Sequence, residues 1–418
     1  MSSRVLILHY TPPGVIGGVE HVIEQHARLL LDRGFRVEIV AGRQADTDLP
    51  VHVIPQIDAA IPENVAIEAE LAAGVVSGRF HSAREAILDR LEPLVRDVNA
   101  LIAHNAFTLH FSLPLTAALW QLTSECSPPI AIAWCHDLAW VNPLYLPIMH
   151  DGYPWDLLRV RAPGVTYVTV SHERKEELED LWDEHEPEAV VVPNGIDLYA
   201  FLRLSKRTNQ LVRSLDLLDR DAILLLPVRI TRRKNIQHAI RAVRVLKDRG
   251  LDVRFIVTGP TAPHHPQRSR TYLDELKALR RELDVEAEVI FLADDQGERL
   301  DDRTVSELYV LADCLFFPSE SEGFGLPILE AGLAGVPAAL ADIPVFREVG
   351  GDEASYFALD GPPEDAADAV TKLLELPTTR LRRRVRQEYR WDVIVDRRLV
   401  PLLQSERARL QQPGSKAR

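Results

Sequence analysis

The chain has 418 residues, a formal net charge of −14, 46% hydrophobic residues and 26% charged residues. These proportions exclude a disordered, collagenous or coiled-coil chain, and at ~150 residues per domain the length predicts two or three domains. An acidic balance repels phosphate backbones and anionic lipid, so no nucleic acid partner and no membrane association are expected.

Three cysteines, Cys126, Cys135 and Cys314, are too sparse for a zinc site or a disulfide framework. Met1 runs straight into Val5–Leu8, too short for a secretory signal, and no apolar run approaches the ~20 residues of a membrane helix. The expected location is cytoplasmic.

The elements read as alternating strand and helix. Val5–Leu8 is a short continuous apolar run, the mark of a strand buried on both faces. A loop containing Gly17 and Gly18 follows. Val19–Arg33 then carries Val22, Ile23, Ala27, Leu30 and Leu31 on one helical face, and Gly34 stops it. With the strand Val37–Val40 this is one βαβ unit, which builds parallel sheet. Strand-like runs recur at Val51–Ile54, Ala100–Ala103, Ile130–Trp134, Tyr167–Val170 and Ala189–Val192.

The pattern restarts at Ile223–Leu226, Arg254–Val257, Val289–Leu292, Cys314–Phe317 and Pro337–Leu340, with helices such as Ile236–Lys247 and Tyr272–Leu283 between. Two doubly wound α/β domains in tandem are expected, 1–200 and 201–391. The polar stretch Leu202–Leu211 is the expected boundary. A terminal helix of about 392–411 is expected to pack back on the first domain, ahead of a frayed tail from Gln411.

Two strings carry chemistry. In Ser321-Glu-Gly-Phe-Gly-Leu-Pro-Ile-Leu-Glu330 a strand enters a Gly-rich loop, and Pro327 suits the first helical turn. Backbone N–H groups around Phe324–Ile328 would be free donors for an anion or a sugar hydroxyl. Glu322 precedes that helix and Glu330 lies about one turn inside it, so two carboxylates could grip hydroxyls on two parts of one long ligand. In Pro227-Val-Arg229-Ile-Thr-Arg-Arg-Lys234-Asn235, two cations five residues apart follow a strand and precede a helix. That is the carboxyl edge where α/β sheets bind ligands, and the pair suits a diphosphate. Arg232 and Arg233 read as a solvated basic turn.

The string from Glu322 to Glu330 resembles the E-x7-E motif of retaining glycosyltransferases with the GT-B fold, family 4. Arg229 and Lys234 match that family's Arg…Lys pair. Gly17-Gly-Val-Glu20, Val192-Pro-Asn-Gly-Ile-Asp197 and Arg390-Trp391 are also similar, and the motifs occur in order along the chain. The resemblance implies two Rossmann-like domains facing across a cleft, the first for acceptor and the second for a nucleotide sugar. It implies no bound cofactor and no metal site, the nucleotide-diphosphate sugar being a substrate, with UDP ahead of GDP or ADP. Glu330 would bind the ribose and Glu322 the transferred sugar. The amides of Gly323, Phe324, Gly325 and Leu326 would touch sugar and phosphate. Arg229 and Lys234 would stabilise the diphosphate, and Gly17 and Gly18 would let the backbone approach it. His136, after the strand Ile130–Trp134, resembles the family's strand-end histidine that contacts the donor sugar.

His104-Asn105 and Ser171-His172 also sit at strand ends, where they could line the acceptor side, but the structural reading is preferred for both. His264 and His265 read as a surface loop, and His21 and His26 lie on a helix without metal-ligand spacing. Pro227-Val228 stands where many relatives have Gly. The acidic stretch Asp294–Asp302 leaves the base open and could at most bind magnesium weakly. The implied reaction moves a hexose to the hydroxyl of a sugar, glycan or small metabolite. A GT-B sugar phosphorylase and a catalytically silent sugar-nucleotide-binding subunit are the alternatives.

Overall fold

The computed structural model describes residues 3–125, 130–182, 189–261, 266–295 and 300–404. The chain divides into two units: the first runs to Gly195 and resumes at Trp391, and the second is Ile196–Arg390. The segment 296–299 of the acidic stretch, His264, His265, Cys126 and the tail from Gln411 lie outside the described residues.

Among the described residues the first unit holds seven strands: β1 (Arg4–Leu8), β2 (Arg36–Ala41), β3 (Val51–Val53), β4 (Ala100–His104), β5 (Ala131–Cys135), β6 (Val165–Thr169) and β7 (Val190–Val191). They form one parallel sheet in the order β3-β2-β1-β4-β5-β6-β7. The order reverses between β1 and β4, where Val5 pairs with both Val37 and Ala100. Such a switch point opens a crevice at the carboxyl ends of the strands. One face of the sheet is covered by helix Gly18–Asp32, through Ile23, Ala27 and Leu30, and by Ile394, Val395 and Leu399 of the returning chain. The other face packs on Ile87, Leu91 and Val95 and on Leu115, Leu119 and Leu122. With helices on both faces every central strand is buried on both sides, which is why these strands read as unbroken apolar runs.

The second unit holds β8 (Ala222–Leu226), β9 (Val253–Val257), β10 (Val289–Phe291), β11 (Cys314–Phe317), β12 (Ala338–Ala341) and β13 (Ser355–Phe357). Their order is β10-β9-β8-β11-β12-β13, all parallel, with the switch between β8 and β11. The lower edges of these two strands are tied by Asp313, whose carboxylate accepts from the Ile223 amide at 2.8 Å and pairs with the buried Arg386 at 2.9 Å.

Several boundaries differ from expectation. The division falls at Gly195–Ile196, and Trp391 belongs with the first unit. Leu202–Leu211 is not a linker: it lies in the second unit, within helices Leu198–Leu202 and Lys206–Ser214 and the turn between them. Asp197 and Ser205 cap those helices by accepting from the Ala200 and Thr208 amides, a signal that outweighs the polarity of the stretch. Leu292 leaves the predicted strand to begin a short helix, Leu292–Asp295. The helix expected from Tyr272 starts earlier, at Pro266. The returning segment is helical from 391 to 404, the last residue described there, with a π-helical stretch at Val395–Leu399, and it packs on the first unit as expected. Arg33 holds it to the first helix through Asp396.

Candidate functional site

At the switch point of the second unit, β8 delivers Pro227–Lys234 and β11 delivers Ser319–Leu326. The first segment ends in a 3-10 turn, Arg232–Lys234, closed by Asn235 in the left-handed conformation. The Glu320 amide donates to the Arg233 carbonyl at 2.8 Å and ties the two segments together. This register sets the Lys234 ammonium against the Glu322 carboxylate, with 8% and 9% of the side chains exposed. Burial lowers the Lys234 pKa, and the Glu322 carboxylate opposes that shift. The ammonium also lies 5.4 Å from the centre of the Phe317 ring.

Arg229 is exposed and has no hydrogen-bond or ion-pair partner among the described residues. The sequence therefore predicts a pair of equivalent cations where the structure has one anchored and one free. Arg233 corrects the reading of a merely solvated turn. It donates to the Ser321 carbonyl at 3.2 Å and to Glu322 at 3.3 Å, because the 3-10 turn points it back at the loop. Arg232 does stay outside, paired with Glu275.

The Gly-rich loop ends at Gly325, whose φ of 99° caps helix Leu326–Leu333. A Cβ there would lie 3.1 Å from Ile328 and 3.2 Å from Phe346. Not every expected amide is free. The Ile328 amide donates to the Gly325 carbonyl at 2.9 Å, and Pro327 has no N–H. The amides of Gly323, Phe324 and Gly325 have no partner among the described residues. Glu330 is exposed on the helix and accepts from the Tyr309 hydroxyl at 2.6 Å. Burial and that carboxylate together raise the Tyr309 pKa. Tyr309 was not foreseen; nothing in its local pattern separates it from a core tyrosine.

The switch point of the first unit carries histidines. His136 follows β5, and its amide donates to the Asn105 side-chain oxygen at 2.8 Å. Its Nε2 lies 3.0 Å from Nδ1 of His104, with the two rings stacked. His104 is fully buried and lies behind His136 rather than at the surface. Burial pushes the His136 pKa down to about 3 and His104 well below its ordinary value. His9, at the end of β1, donates from Nδ1 to the His104 carbonyl at 3.1 Å, and its Nε2 lies 3.9 Å from Glu20. Thr11 donates to the same Glu20 carboxylate.

Gly17 precedes the first helix in extended backbone, and a Cβ there would fall on the Glu20 carboxylate. A Cβ at Gly18 meets nothing within 4 Å, so no packing within the unit calls for glycine there. His172 is exposed at the start of its helix. His9 was missed, although a histidine closing the first apolar run of a switch-point strand was its available signal.

Two family profiles lie end to end along the chain. "Glycosyltransferase Family 4" matches residues 16–199 and "Glycosyl transferases group 1" matches residues 208–390. The uncharacterized glycosyltransferase MJ1607 of Methanocaldococcus jannaschii is 27% identical over 237 residues, 54% of this chain and 57% of that protein. The D-inositol 3-phosphate glycosyltransferase of Actinosynnema mirum is 28% identical over 404 residues, covering 90% of this chain and 89% of the relative. Among solved structures, Anabaena Alr3699/HepE in complex with UDP and glucose aligns over 98% of this chain and 99% of its own, at 15% identity and a TM-score of 0.36. The chain thus spans a little over half the length of the Methanocaldococcus relative. Two parallel Rossmann-like sheets, with the two glycosyltransferase profiles lying end to end over them, define the GT-B class of fold. The chain belongs to the family 4 type of that class.

Proposed function

We propose that the chain moves a hexose from a nucleoside-diphosphate hexose to an acceptor hydroxyl, with retained anomeric configuration and without a metal ion or other cofactor. One observation carries the reading: an anchored Lys234–Glu322 pair at a sheet switch point, on segments that also carry Arg229 and three loop amides without partners among the described residues. The free cation and the amides suit a diphosphate, and Lys234 is placed to turn from Glu322 to a phosphate oxygen. Charge that develops on the leaving diphosphate then meets fixed positive groups, which supports transfer without a divalent ion. In this reading Glu330, which accepts from the Tyr309 hydroxyl, is assigned to the ribose hydroxyls and Glu322 to the transferred sugar; His136 is assigned on its own, through the family resemblance, to an oxygen of the donor sugar.

Retention needs no carboxylate nucleophile if the departing diphosphate takes the acceptor proton on the same face. UDP stands ahead of GDP and ADP as donor nucleotide. The name of the Actinosynnema relative makes a phosphorylated cyclitol one acceptor to try beside sugars, glycans and other small metabolites. We place the reaction in the cytoplasm; among the described residues no helix is long and apolar enough to cross a membrane.

The test is a thermal-shift screen of UDP, GDP and ADP, followed by hydrolysis of the matching nucleotide glucose by chelated enzyme. A ligand at ~100 times its Kd adds about 2.7 kcal/mol of stability. Stabilisation by one nucleotide, with turnover that survives chelation, is expected. No nucleotide response, or turnover that returns only with magnesium or manganese, overturns the reading or its metal-free form respectively.

A further inference from the structure

The two histidines at the first switch point have only one proton to share between their facing nitrogens. Burial disfavours charge on either ring, so His104 Nδ1 and His136 Nε2, 3.0 Å apart, meet as one donor and one acceptor. The remaining nitrogens decide which is which. Among the described residues His104 Nε2 is buried with no partner, whereas His136 Nδ1 is unbonded and not among the buried unpartnered atoms. If His136 donated, His104 would carry a buried orphan N–H. If His104 donates, its orphan is a lone pair, and buried unpaired acceptors are tolerated better than buried unpaired N–H groups.

Among the described residues no other side chain is bonded to either ring, and Trp134 stacks on His104 at 5.6 Å between ring centres with its own Nε1 unpartnered. His26, on the first helix, lies with its ring 5.7 Å from His104, and both its nitrogens are unpartnered. His9 is bonded to the His104 carbonyl and not to its ring, Glu20 accepts from Thr11, and Asn105 holds the His136 backbone. Asp137, next in the chain, has its amide near the same Asn105 oxygen at 3.3 Å.

We propose that His104 is the positioning residue of His136: its Nδ1–H donates to His136 Nε2 and fixes His136 as the neutral Nδ1–H tautomer, which presents a hydrogen-bond donor to an oxygen of the donor sugar. The destination of that donor rests on the reading of His136 given under Proposed function; the tautomer itself does not. A neutral donor of this kind binds a hydroxyl or ring oxygen without adding charge beside the sugar. Its protonation also stays constant across the working pH range, because no proton is taken up or lost there.

Histidine-selective 15N labelling of the full chain, with long-range 15N–1H correlation, reads the tautomer directly, and the His136→Ala spectrum assigns the signal. In the wild type the proton is expected on His136 Nδ1. His104→Leu is expected to move it to Nε2 or mix the two forms, and to lower kcat for UDP-glucose hydrolysis about tenfold or more with KM little changed. His104→Asn sets an amide nitrogen where Nδ1 stood, and is expected to restore the tautomer and most of the lost turnover. A wild-type proton on Nε2, an Nδ1 proton that persists in His104→Leu, or His104→Asn behaving like His104→Leu each overturns the proposal. Should His104→Leu not fold, the wild-type and His104→Asn spectra decide. If the tautomer responds as expected but His136→Ala hydrolyses UDP-glucose at the wild-type rate, the contact of His136 with the sugar fails while its positioning by His104 stands.

Discussion

Lys234 and Glu322 lie 88 positions apart and form one ion pair at the carboxyl edge of the second sheet, each side chain more than nine-tenths buried. The pair joins the end of β8 to the loop after β11. Removing one partner strands the other charge in a site with little water, which is the costly way to break such a pair. Lys234→Met is therefore expected to lower the unfolding free energy of the second unit by about 3 kcal/mol. The Arg233 contact with Glu322 softens that loss. The double variant Lys234→Met/Glu322→Gln should lose less than the two single losses summed. Urea denaturation of the four proteins measures the coupling, and strict additivity would mean that the pair does not hold the loop.

Arg229 makes the opposite prediction. It is exposed and unpartnered among the described residues, so Arg229→Ala should change stability by less than about 0.5 kcal/mol. A guanidinium that meets leaving-group charge is worth about 100-fold in kcat. Turnover should therefore collapse in a protein whose melting curve is unchanged. A variant with wild-type turnover of a donor confirmed to bind would remove Arg229 from the chemistry.

Much of this was legible because parallel strands covered on both faces announce themselves as apolar runs. Cys314–Phe317 was read to the residue, and β13 was overlooked because Ser355-Tyr-Phe357 is too short to show a period. The E-x7-E string and the Arg…Lys pair could be read because each is contiguous. What could not be read was partnership. That Lys234 is spent on Glu322, that Arg233 turns inward and that His104 stands behind His136 all depend on which strands lie side by side. Strand order is set by crossovers, not by local pattern.

The two loop glycines should separate structure from chemistry. Gly325→Ala forces φ of 99° on a residue with a Cβ and crowds Ile328 and Phe346, an expected cost of about 1–3 kcal/mol. Gly18→Ala has open space and should cost less than about 0.5 kcal/mol. If Gly18 serves close approach of a ligand, its alanine variant should keep its melting temperature and lose nucleotide-sugar turnover. A Gly18→Ala enzyme with full activity would leave that glycine without a role.

The buried histidines set the response to acid. Burial holds His26 and His136 at about 3 and His110 at about 4, against an unfolded value near 6.5, so the unfolded chain binds more protons between those limits. Stability therefore rises with pH in that window: the contribution of each histidine is complete above about 6.5 and is lost as the pH falls toward its folded value. Each adds a slope of up to about 1.4 kcal/mol per pH unit. His26 is the cleanest probe, since it is fully buried with both nitrogens unpartnered and belongs to no proposed contact with substrate. His26→Phe should flatten the stability–pH curve of the first unit between pH 6 and 4 by about that amount while leaving the curve above pH 7 parallel to the wild type. Denaturant unfolding at half-unit pH steps reads the slope, and an unchanged slope in His26→Phe would mean that His26 takes up its proton without unfolding.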